Sequence, residues 1–295
     1  MQEITVPAGY DGEKLEAYLA RSFPAGYIGK LFRKNGVRLN GRRAKKLEPI
    51  HCGDRIELFF PLGSTAAAAK PQSRRAAIDV LFENSDMLVI NKPAGVAVHE
   101  AKNIAKNRTL LGLLEARFQE TPFQPLLVHR LDKDTSGALL VAKNQKAARE
   151  LERQFQEAAV KKQYLCLVAG RLPHAKGIID LHLPGREGKP VRAITRYQVE
   201  KLFFDSTFVQ ATIETGRMHQ IRLHFAKLGY PVVMDRQHGD FDFNKSFRRR
   251  TGLNRQFLHA ARLALSFRGK YFSWQAPLPQ DLRRTLEILG QVAKG

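Results

Sequence analysis

The chain has 295 residues, of which 43% are hydrophobic, and it carries 49 Lys and Arg against 28 Asp and Glu, a formal net charge of +21. This length and hydrophobic content exclude a chain that is disordered throughout, and they are sufficient for one large domain and a small one. A charge of this size and sign favours a polyanionic partner, nucleic acid before an anionic membrane surface.

Cysteine usage and hydropathy exclude several other classes. Cys52 and Cys166 are far apart and have no Cys or His neighbours at zinc-ligand spacing, which argues against a disulfide framework and against a metal site. The N-terminal stretch lacks the basic and apolar regions of a signal peptide, and no later window has the apolar length that spans a bilayer. We therefore expect a cytoplasmic protein without a membrane partner.

Residues 11–60 have the pattern of a compact α/β module. Apolar residues recur at helical spacing in two sets, which are Leu15, Tyr18, Leu19 and Phe23, then Ile28, Leu31 and Phe32. The Asn35-Gly36 pair ends the second helix. Residues 37–60 then alternate like strands, with turns at Asn40-Gly41 and Gly53-Asp54.

The edge between the second helix and these strands is strongly basic. Its cations are Lys30, Arg33, Lys34, Arg38, Arg42, Arg43, Lys45 and Lys46. A charge run is often only a solvated face, but charges of nearly one sign favour contact with a polyanion.

The stretches "LFRKNGVRLNGRR" and "GDRIELF" resemble the S-four domain, an RNA-binding module of a ribosomal protein, a tRNA synthetase and several RNA-modifying enzymes. The resemblance implies an RNA-binding domain over residues 1–62. The residues that it places in contact with RNA are Lys30, Arg33, Lys34, Arg42 and Arg43. Residues 63–77 are small, basic and Pro-containing, which predicts a flexible linker, and residues 78–295 form a second domain.

From Ile78 onward, strand-like and helix-like segments alternate without a fixed repeat. Strand patterns occupy 78–83, 87–92, 163–170 and 206–216, and helix patterns occupy 109–118 and 145–159. Because strands run together as well as alternating with helices, we expect an α+β fold with a mixed, mainly antiparallel sheet flanked by helices. The glycine-rich phosphate motifs of nucleotide-binding folds are absent from the sequence.

Residues 126–144, "LLVHRLDKDTSGALLVAKN", place charged and hydroxyl residues between two apolar runs. A strand, a sharp turn and a second strand would hold these polar side chains at the rim of a sheet. Turn chemistry alone could also explain Asp, Ser, Thr and Gly there.

Three other stretches favour a functional site over a charged hairpin tip. In "INKPAGVAVHE", Lys92 follows a strand, and in "KKQYLCLVAG", Tyr164 lies within one. The stretch "ETGRMHQIRLHF" sets basic residues around the start of a helix, where free N–H groups and the helix dipole favour a phosphate. These basic residues are Arg217, His219, Arg222 and His224.

Together these stretches resemble the pseudouridine synthases of the branch marked by HRLDxxTSG. "HRLDKDTSG" fits that mark at every position, and "NKPAGVAVH", "KKQYLCLV", "GRMHQIRLH" and "FLHAARLALSF" resemble the other motifs of the family. The resemblance covers about residues 81 to 282 and implies an isomerase that converts uridine in RNA to pseudouridine without a cofactor. Met218 replaces the usual Thr and Met234-Asp235 replaces the usual Gly-Asp, which bears on substrate choice more than on chemistry.

The resemblance assigns three catalytic residues. Asp132 supplies the carboxylate, either as nucleophile or as the base that starts an elimination, and the sequence leaves both routes open. A carboxylate in a closed pocket needs a fixed cation to stay ionised, and Arg222 is the candidate. Tyr164 lies against the target uracil.

A uracil stacked in RNA must be flipped out of the helix to reach such a pocket. We expect Arg130 to act as a wedge or strand contact beside Asp132, and Lys92, Arg217 and His219 to hold the RNA backbone. Ser136 has no His placed in sequence as an obvious base, so we expect it to shape the turn.

Alternatives remain at the level of substrate and of catalysis. The S-four resemblance favours ribosomal RNA of the large subunit over transfer RNA, and a non-catalytic RNA-binding factor is the rival class. A metal hydrolase at His219 and His224 is disfavoured, because the two are five residues apart and lack an HExxH context. A monomer is the default expectation.

Overall fold

A computed structural model describes residues 2–23, 25–33, 35–59, 78–100, 104–185 and 188–292. The chain divides into two compact units, Met1–Arg74 and Arg75–Gly295. The linker predicted at residues 63–77 lies outside the described residues, and so do Lys34 and the side chain of Lys30. The predicted domain boundaries therefore stay a prediction.

The first unit is a small antiparallel sheet with two helices. Its elements are β1 (Gln2–Thr5), α1 (Leu15–Ala20), α2 (Ala25–Arg33), β2 (Val37–Leu39), β3 (Arg42–Arg43) and β4 (Arg55–Leu58). The strand order is β1-β4-β2-β3, and every pairing is antiparallel. This agrees with the helices and the strand alternation that the sequence predicts for residues 11–60.

The core of the first unit is made by the residues that recur at helical or strand spacing. Leu15, Leu19 and Ile28 from the helices pack with Ile56 and other strand residues, and all are almost fully buried. The turn between β2 and β3 is the predicted Asn-Gly pair, and both residues have positive φ, 50° and 78°. That geometry is the two-residue turn that suits the twist of a hairpin.

The second unit contains one large sheet with helices packed on it. Its strands are β5 (Asp79–Glu83), β6 (Met87–Lys92), β7 (Leu126–Leu127), β8 (Ser136–Ala142), β9 (Lys161–Ala169), β10 (Lys176–Pro184), β11 (Pro190–Leu202), β12 (Ser206–Ile213), β13 (Leu258–Phe267) and β14 (Lys270–Gln275). Its helices are α3 (Leu110–Arg117), α4 (Gln145–Gln156), α5 (Gln220–Lys227), α6 (Phe241–Thr251) and α7 (Gln280–Val292).

The sheet runs in the order β10-β11-β12-β9-β13-β8-β6-β5, with β14 beside β13 and β7 beside β8. Among the described strands, the parallel pairing is that of β8 with β13, where Ser136 lies opposite His259. The other pairs are antiparallel. The predicted fold class, an α+β fold with a mainly antiparallel sheet, is confirmed.

Strand β8 lies at the centre of the second unit, and all its residues are buried. Leu139 and Val141 pack into the cluster on one face, which also contains Tyr164. Leu140 packs into the cluster on the other face, together with Leu151 of α4. Burial on both faces explains why the sequence after the charged turn is continuously apolar instead of alternating. Within the described part of the chain, no helix combines the length and the apolarity needed to cross a bilayer.

Candidate active site

The predicted strand, turn and strand over residues 126–144 form the hairpin of β7 and β8, and the turn between them carries Asp132. The turn is tied down from inside the protein, because buried Thr135 accepts a hydrogen bond through Oγ1 from Gln256 Nε2 at 2.8 Å. The Thr135 N–H also donates to the Asp132 carbonyl at 3.1 Å. The Asp132 side chain is 20% exposed, so it is sheltered but still accessible.

Arg222, in the first turn of α5, contacts Asp132 directly. Its Nη1 donates to Asp132 Oδ2 at 3.0 Å, and its own side chain is only 7% exposed. The same guanidinium donates through Nε and Nη2 to the two oxygens of Asp235, at 2.6 and 2.8 Å, and through Nη2 to Gln237 Oε1 at 3.2 Å. A planar guanidinium held on one edge by a bidentate carboxylate has a fixed direction. Arg222 therefore presents Nη1 to Asp132 in a set geometry.

Asp235 is fully buried and has partners for both carboxylate oxygens. Besides Arg222, its Oδ1 accepts from the backbone N–H groups of Gln237 at 2.8 Å and His238 at 3.1 Å. Burial raises the pKa of Asp235, but the hydrogen bonds from Arg222 and from these N–H groups outweigh it and leave the pKa below its usual value. The pKa of Arg222 is raised despite burial, because Asp235 and Asp132 both stabilise its charge.

Tyr164 lies in β9 and is 8% exposed. It belongs to the same buried cluster as Leu131, the residue before Asp132. Burial, followed by the negative charge of Asp132, raises the pKa of Tyr164 well above its usual value. The Tyr164 hydroxyl has no hydrogen-bond partner among the described residues. It is also absent from the set of unpaired polar atoms that are sealed from solvent. It is therefore a neutral phenol that retains access to solvent close to Asp132.

His219 lies near the carboxylate oxygen that Arg222 does not bind. Its Nε2 is 3.8 Å from Asp132 Oδ1, and its Nδ1 is 3.2 Å from Nε2 of His238. Burial lowers the pKa of His219, and Asp132 opposes that effect in part. By contrast, His224 is directed away from this pair, with Nδ1 2.9 Å from Thr195 Oγ1.

Lys92 corrects the sequence prediction. It was predicted to hold the RNA backbone, but its side chain is fully buried. Its Nζ donates to the carbonyls of Pro93 at 2.9 Å, Val96 at 2.9 Å and Lys133 at 3.1 Å. Burial lowers the pKa of Lys92 to about 7, and Asp134 and Asp132 oppose that effect. The prediction is wrong because all three donors are used within the protein, where they join the turn after β6 to the turn that carries Asp132.

The remaining predicted contacts lie on exposed surface. Arg130 and Arg217 in the second unit have exposed side chains, and so do Arg33, Arg42 and Arg43 in the first. Arg38 lies directly opposite Arg43 across the β2–β3 pair. Like charges in that position repel each other, which is tolerable when a polyanion lies against them.

Sequence reasoning missed a buried pair behind the turn. Ser136 Oγ lies 3.0 Å from His259 Nδ1, and His259 Nε2 lies 3.1 Å from the Ala276 carbonyl oxygen. Because a carbonyl can only accept, His259 donates through Nε2 and accepts the Ser136 hydroxyl through Nδ1. Both side chains are about 1% exposed or less, so the pair joins β8 to β13 and substrate cannot reach it.

Asp235 was also missed as a site residue. The sequence drew attention to Met234-Asp235 only as a departure from a Gly-Asp pairing. An acidic residue following an apolar pair in a loop gives no signal that it is buried against an arginine. Only the folded chain brings it to Arg222, 13 positions away.

Residues 86–227 match the model of the family described as RNA pseudouridylate synthase. The chain is 34% identical to "Ribosomal large subunit pseudouridine synthase C" of Escherichia coli (strain K12), over 97% of this chain and 96% of that protein. It is 35% identical to the protein of the same name from Yersinia pestis, over 98% and 96% of the two chains.

The second unit's fold also occurs in solved structures. "Human RNA Pseudouridylate Synthase Domain Containing 4" superimposes with a TM-score of 0.63 at 23% identity, over 73% of this chain and 95% of that one. The fold is thus that of pseudouridylate synthases, with a carboxylate and guanidinium pair beside a buried tyrosine. This chain belongs to the RNA pseudouridylate synthase family, and it is an isomerase that acts on uridine in RNA.

Proposed function

We propose that the protein isomerises specific uridines of large-subunit ribosomal RNA, with Asp132 as the reacting carboxylate. The relatives that match almost the whole chain carry ribosomal large subunit in their names, which supports this RNA over transfer RNA. The observation that carries the catalytic assignment is the pairing of Asp132 with Arg222 at 3.0 Å, inside a network that fixes the direction of the guanidinium.

The reaction breaks the bond between N1 of uracil and C1′ of ribose, turns the base, and joins C5 to C1′. The proton on C5 is lost and N1 gains one, so the product is an isomer of the substrate. Asp132 acts on the ribose, as a nucleophile at C1′ or as the base that begins an elimination. An elimination removes a proton from the carbon next to C1′, so a primary isotope effect with deuterium at that carbon distinguishes the two routes.

Arg222 and Tyr164 prepare the carboxylate and the base for this reaction. The guanidinium binds Oδ2 of Asp132 and leaves Oδ1 facing His219. The Tyr164 ring offers an apolar surface for the uracil, and its neutral, unpaired hydroxyl can relay the C5 proton by passing its own proton on as it takes up that one.

The uridine reaches the site by leaving the RNA stack. Arg130 is exposed two residues before Asp132, where it can enter the space that the flipped base vacates. Arg217 and His219 directly precede α5 and hold the phosphates of the flipped nucleotide.

The first unit serves as the RNA-binding module of the enzyme. Arg33, Arg42 and Arg43 are exposed and form no ion pair within the described residues, so their charges are available to phosphates. The enzyme works as a cytoplasmic monomer, and no second subunit is needed to complete the group of Asp132, Tyr164 and Arg222.

The test is pseudouridine formation in unmodified large-subunit ribosomal RNA, transcribed in vitro and incubated with the purified protein. Wild type is expected to form pseudouridine, and Asp132→Asn is expected to lose the activity while it keeps its RNA affinity. Arg130→Lys, which keeps the charge beside Asp132, controls for local electrostatics and should retain measurable turnover.

If wild type and Asp132→Asn both left ribosomal and transfer RNA essentially unmodified, the protein would be an RNA-binding factor and not an enzyme. Modification of transfer RNA alone would leave the chemistry intact and overturn the ribosomal assignment.

A further inference from the structure

A basic and apolar groove lies along helix α6, next to the catalytic network. Its volume is about 520 Å³. The apolar part is formed by Met234 and Phe241, and the basic part by Arg236, Lys245, Arg248 and Arg249. The groove residues of α6 lie outside the motifs that define the family resemblance.

Helix α6 presents three of these side chains on one face. Phe241, Lys245 and Arg248 follow one another at i, i+4 and i+7, and all three are exposed, Phe241 at 66%. The adjacent face, with Asn244 and Phe247, is buried, and Asn244 also lines the groove. The exposed Phe241 ring begins a row of cations on this face.

The cations of this row are free. In the described ranges, Lys245, Arg248 and Arg249 form no ion pair, whereas the next residue, Arg250, binds Asp205 at 2.7 Å. Arg236 donates only to a carbonyl oxygen, that of Asn254 at 2.9 Å. The groove therefore combines uncompensated positive charge with one aromatic face.

The groove is rigidly connected to the reacting carboxylate. Asn244 of α6 accepts from the Met234 N–H at 2.6 Å and donates to the Asp235 carbonyl at 3.0 Å. Asp235 in turn holds Arg222, which holds Asp132. Met234 has a φ of +63°, a conformation that side chains rarely adopt, so this segment is fixed by its contacts and not by local preference.

We propose that the α6 groove binds the single-stranded RNA that adjoins the target uridine, with an unpaired base stacked on Phe241 and its phosphates held by Lys245, Arg248 and Arg249. A row of cations that track a backbone, with an aromatic ring for a base, is the chemistry that recognises single-stranded nucleic acid. An acidic peptide would use the cations but would leave the Phe241 face uncovered. This subsite rests on the proposed function and extends it, because it selects uridines whose neighbouring nucleotides are unpaired.

The experiment measures binding of the full-length chain to an unmodified large-subunit ribosomal RNA transcript over a range of salt concentrations. Arg248→Gln/Arg249→Gln is expected to weaken binding and to reduce the slope of log K against log salt by about 1.4, the value for two single-strand phosphates that are no longer neutralised. Phe241→Ala is expected to weaken binding about fivefold or more, and Phe241→Trp to restore it.

The matched control removes two exposed and unpaired cations from another helix, Lys146→Gln/Arg149→Gln on α4. An equal effect of the α6 and α4 pairs would overturn the subsite. Equal competition by polyglutamate, together with no effect of Phe241→Ala, would overturn it in favour of a general polyanion surface. Pseudouridine formation by wild type is assayed in parallel and tests only the proposed function. The subsite is tested separately, because the α6 variants are compared by their RNA binding.

Discussion

At the scale of single residues, the site depends on one guanidinium that is shared between two carboxylates with different roles. Asp235 is fully buried and takes two of the hydrogen bonds, while Asp132 is partly exposed and takes one. Asp235 thus fixes the direction of Arg222, and Asp132 stays partly accessible, as its proposed role requires.

Asp235→Asn tests this division of roles. Removing the charge of one buried partner leaves Arg222 undercompensated, so we expect a loss of about 3 kcal/mol in the free energy of unfolding. We also expect turnover at saturating RNA to fall while RNA affinity is retained. Both are measured on one preparation, by chemical denaturation and by single-turnover kinetics.

Asp180→Asn is the control, because Asp180 makes a similar two-pronged pair with Arg192 on exposed surface. It should change neither quantity appreciably. A turnover as high in Asp235→Asn as in wild type would show that Arg222 keeps its direction without Asp235.

Buried neutral histidines make stability depend on pH. His129 Nε2 accepts the Leu140 N–H at 2.9 Å and its ring stacks on Phe155. Burial, with a smaller effect of Lys162, lowers the pKa of His129 to about 3, so the unfolded chain takes up the proton first as pH falls. The contribution of neutral His129 to the free energy of unfolding is complete above pH 6.5. It is lost as the pH falls towards 3, by about 1.4 kcal/mol per pH unit.

We therefore expect His129→Gln, which keeps an acceptor for the Leu140 N–H but does not titrate, to flatten the fall in unfolding free energy between pH 6.5 and 4. The exposed His182→Gln should keep the wild-type slope. An unchanged slope in His129→Gln would mean that His129 takes up protons equally in the folded and unfolded chain.

The sequence predicted the site residues that lie in recognisable motifs. It missed the residues whose surroundings depend on packing in the folded chain. Arg222 contacts Asp132, and the charge of Asp132 acts on Tyr164, while the catalytic roles of the three stay a proposal. Lys92 was misjudged because a lysine after a strand looks exposed, and only the folded chain shows three carbonyls around its ammonium. Asp235 was missed because the sequence of a loop does not show which of its side chains are buried.

At the scale of elements, the hairpin of β7 and β8 positions the carboxylate through a close contact of backbones. Gly137 has a φ of +118°, and a Cβ there would lie 2.2 Å from the Ala260 carbonyl oxygen of β13. The sequence predicted strand, turn and strand correctly. It could not predict that β13 lies in parallel alongside, because the two strands are about 120 residues apart.

Gly137→Ala is expected to prevent the parallel pairing of β8 with β13, since both the φ value and the contact with Ala260 exclude a methyl group. The expected result is a protein that is largely unfolded, or folded without activity, by circular dichroism and turnover. Gly229→Ala is the matched control, because Gly229 has a φ of +81° but nothing within 4 Å of its Cβ position. It should cost only about 1 kcal/mol, and equal effects of the two substitutions would show that the contact with Ala260 is unimportant.

At the scale of the whole molecule, the excess positive charge is a property of both units. In the first unit Arg42 and Arg43 form β3 at the edge of the sheet, with Arg38 opposite Arg43. This edge is where the proposed RNA-binding module would meet phosphates.

Arg42→Gln/Arg43→Gln is expected to reduce the salt dependence of RNA binding by about 0.7 to 0.9 for each phosphate that the two arginines neutralise, with turnover at saturating RNA unchanged. Binding is titrated against salt, and thermal unfolding checks that the unit stays folded. If RNA binding by this variant had the same salt dependence as wild type, β3 would not be part of the RNA interface.

The order of strands has a consequence for how the enzyme is made. The four strands from β9 to β12 and the group of β5, β6, β7 and β8 are not paired with each other directly, and β13 lies between β9 and β8. During translation, the two halves of the sheet cannot join through β13 until residues 258–267 have left the ribosome. Asp132 precedes β8 and Tyr164 lies in β9, so the two residues belong to different halves, and β13 is the strand that joins these halves in the sheet.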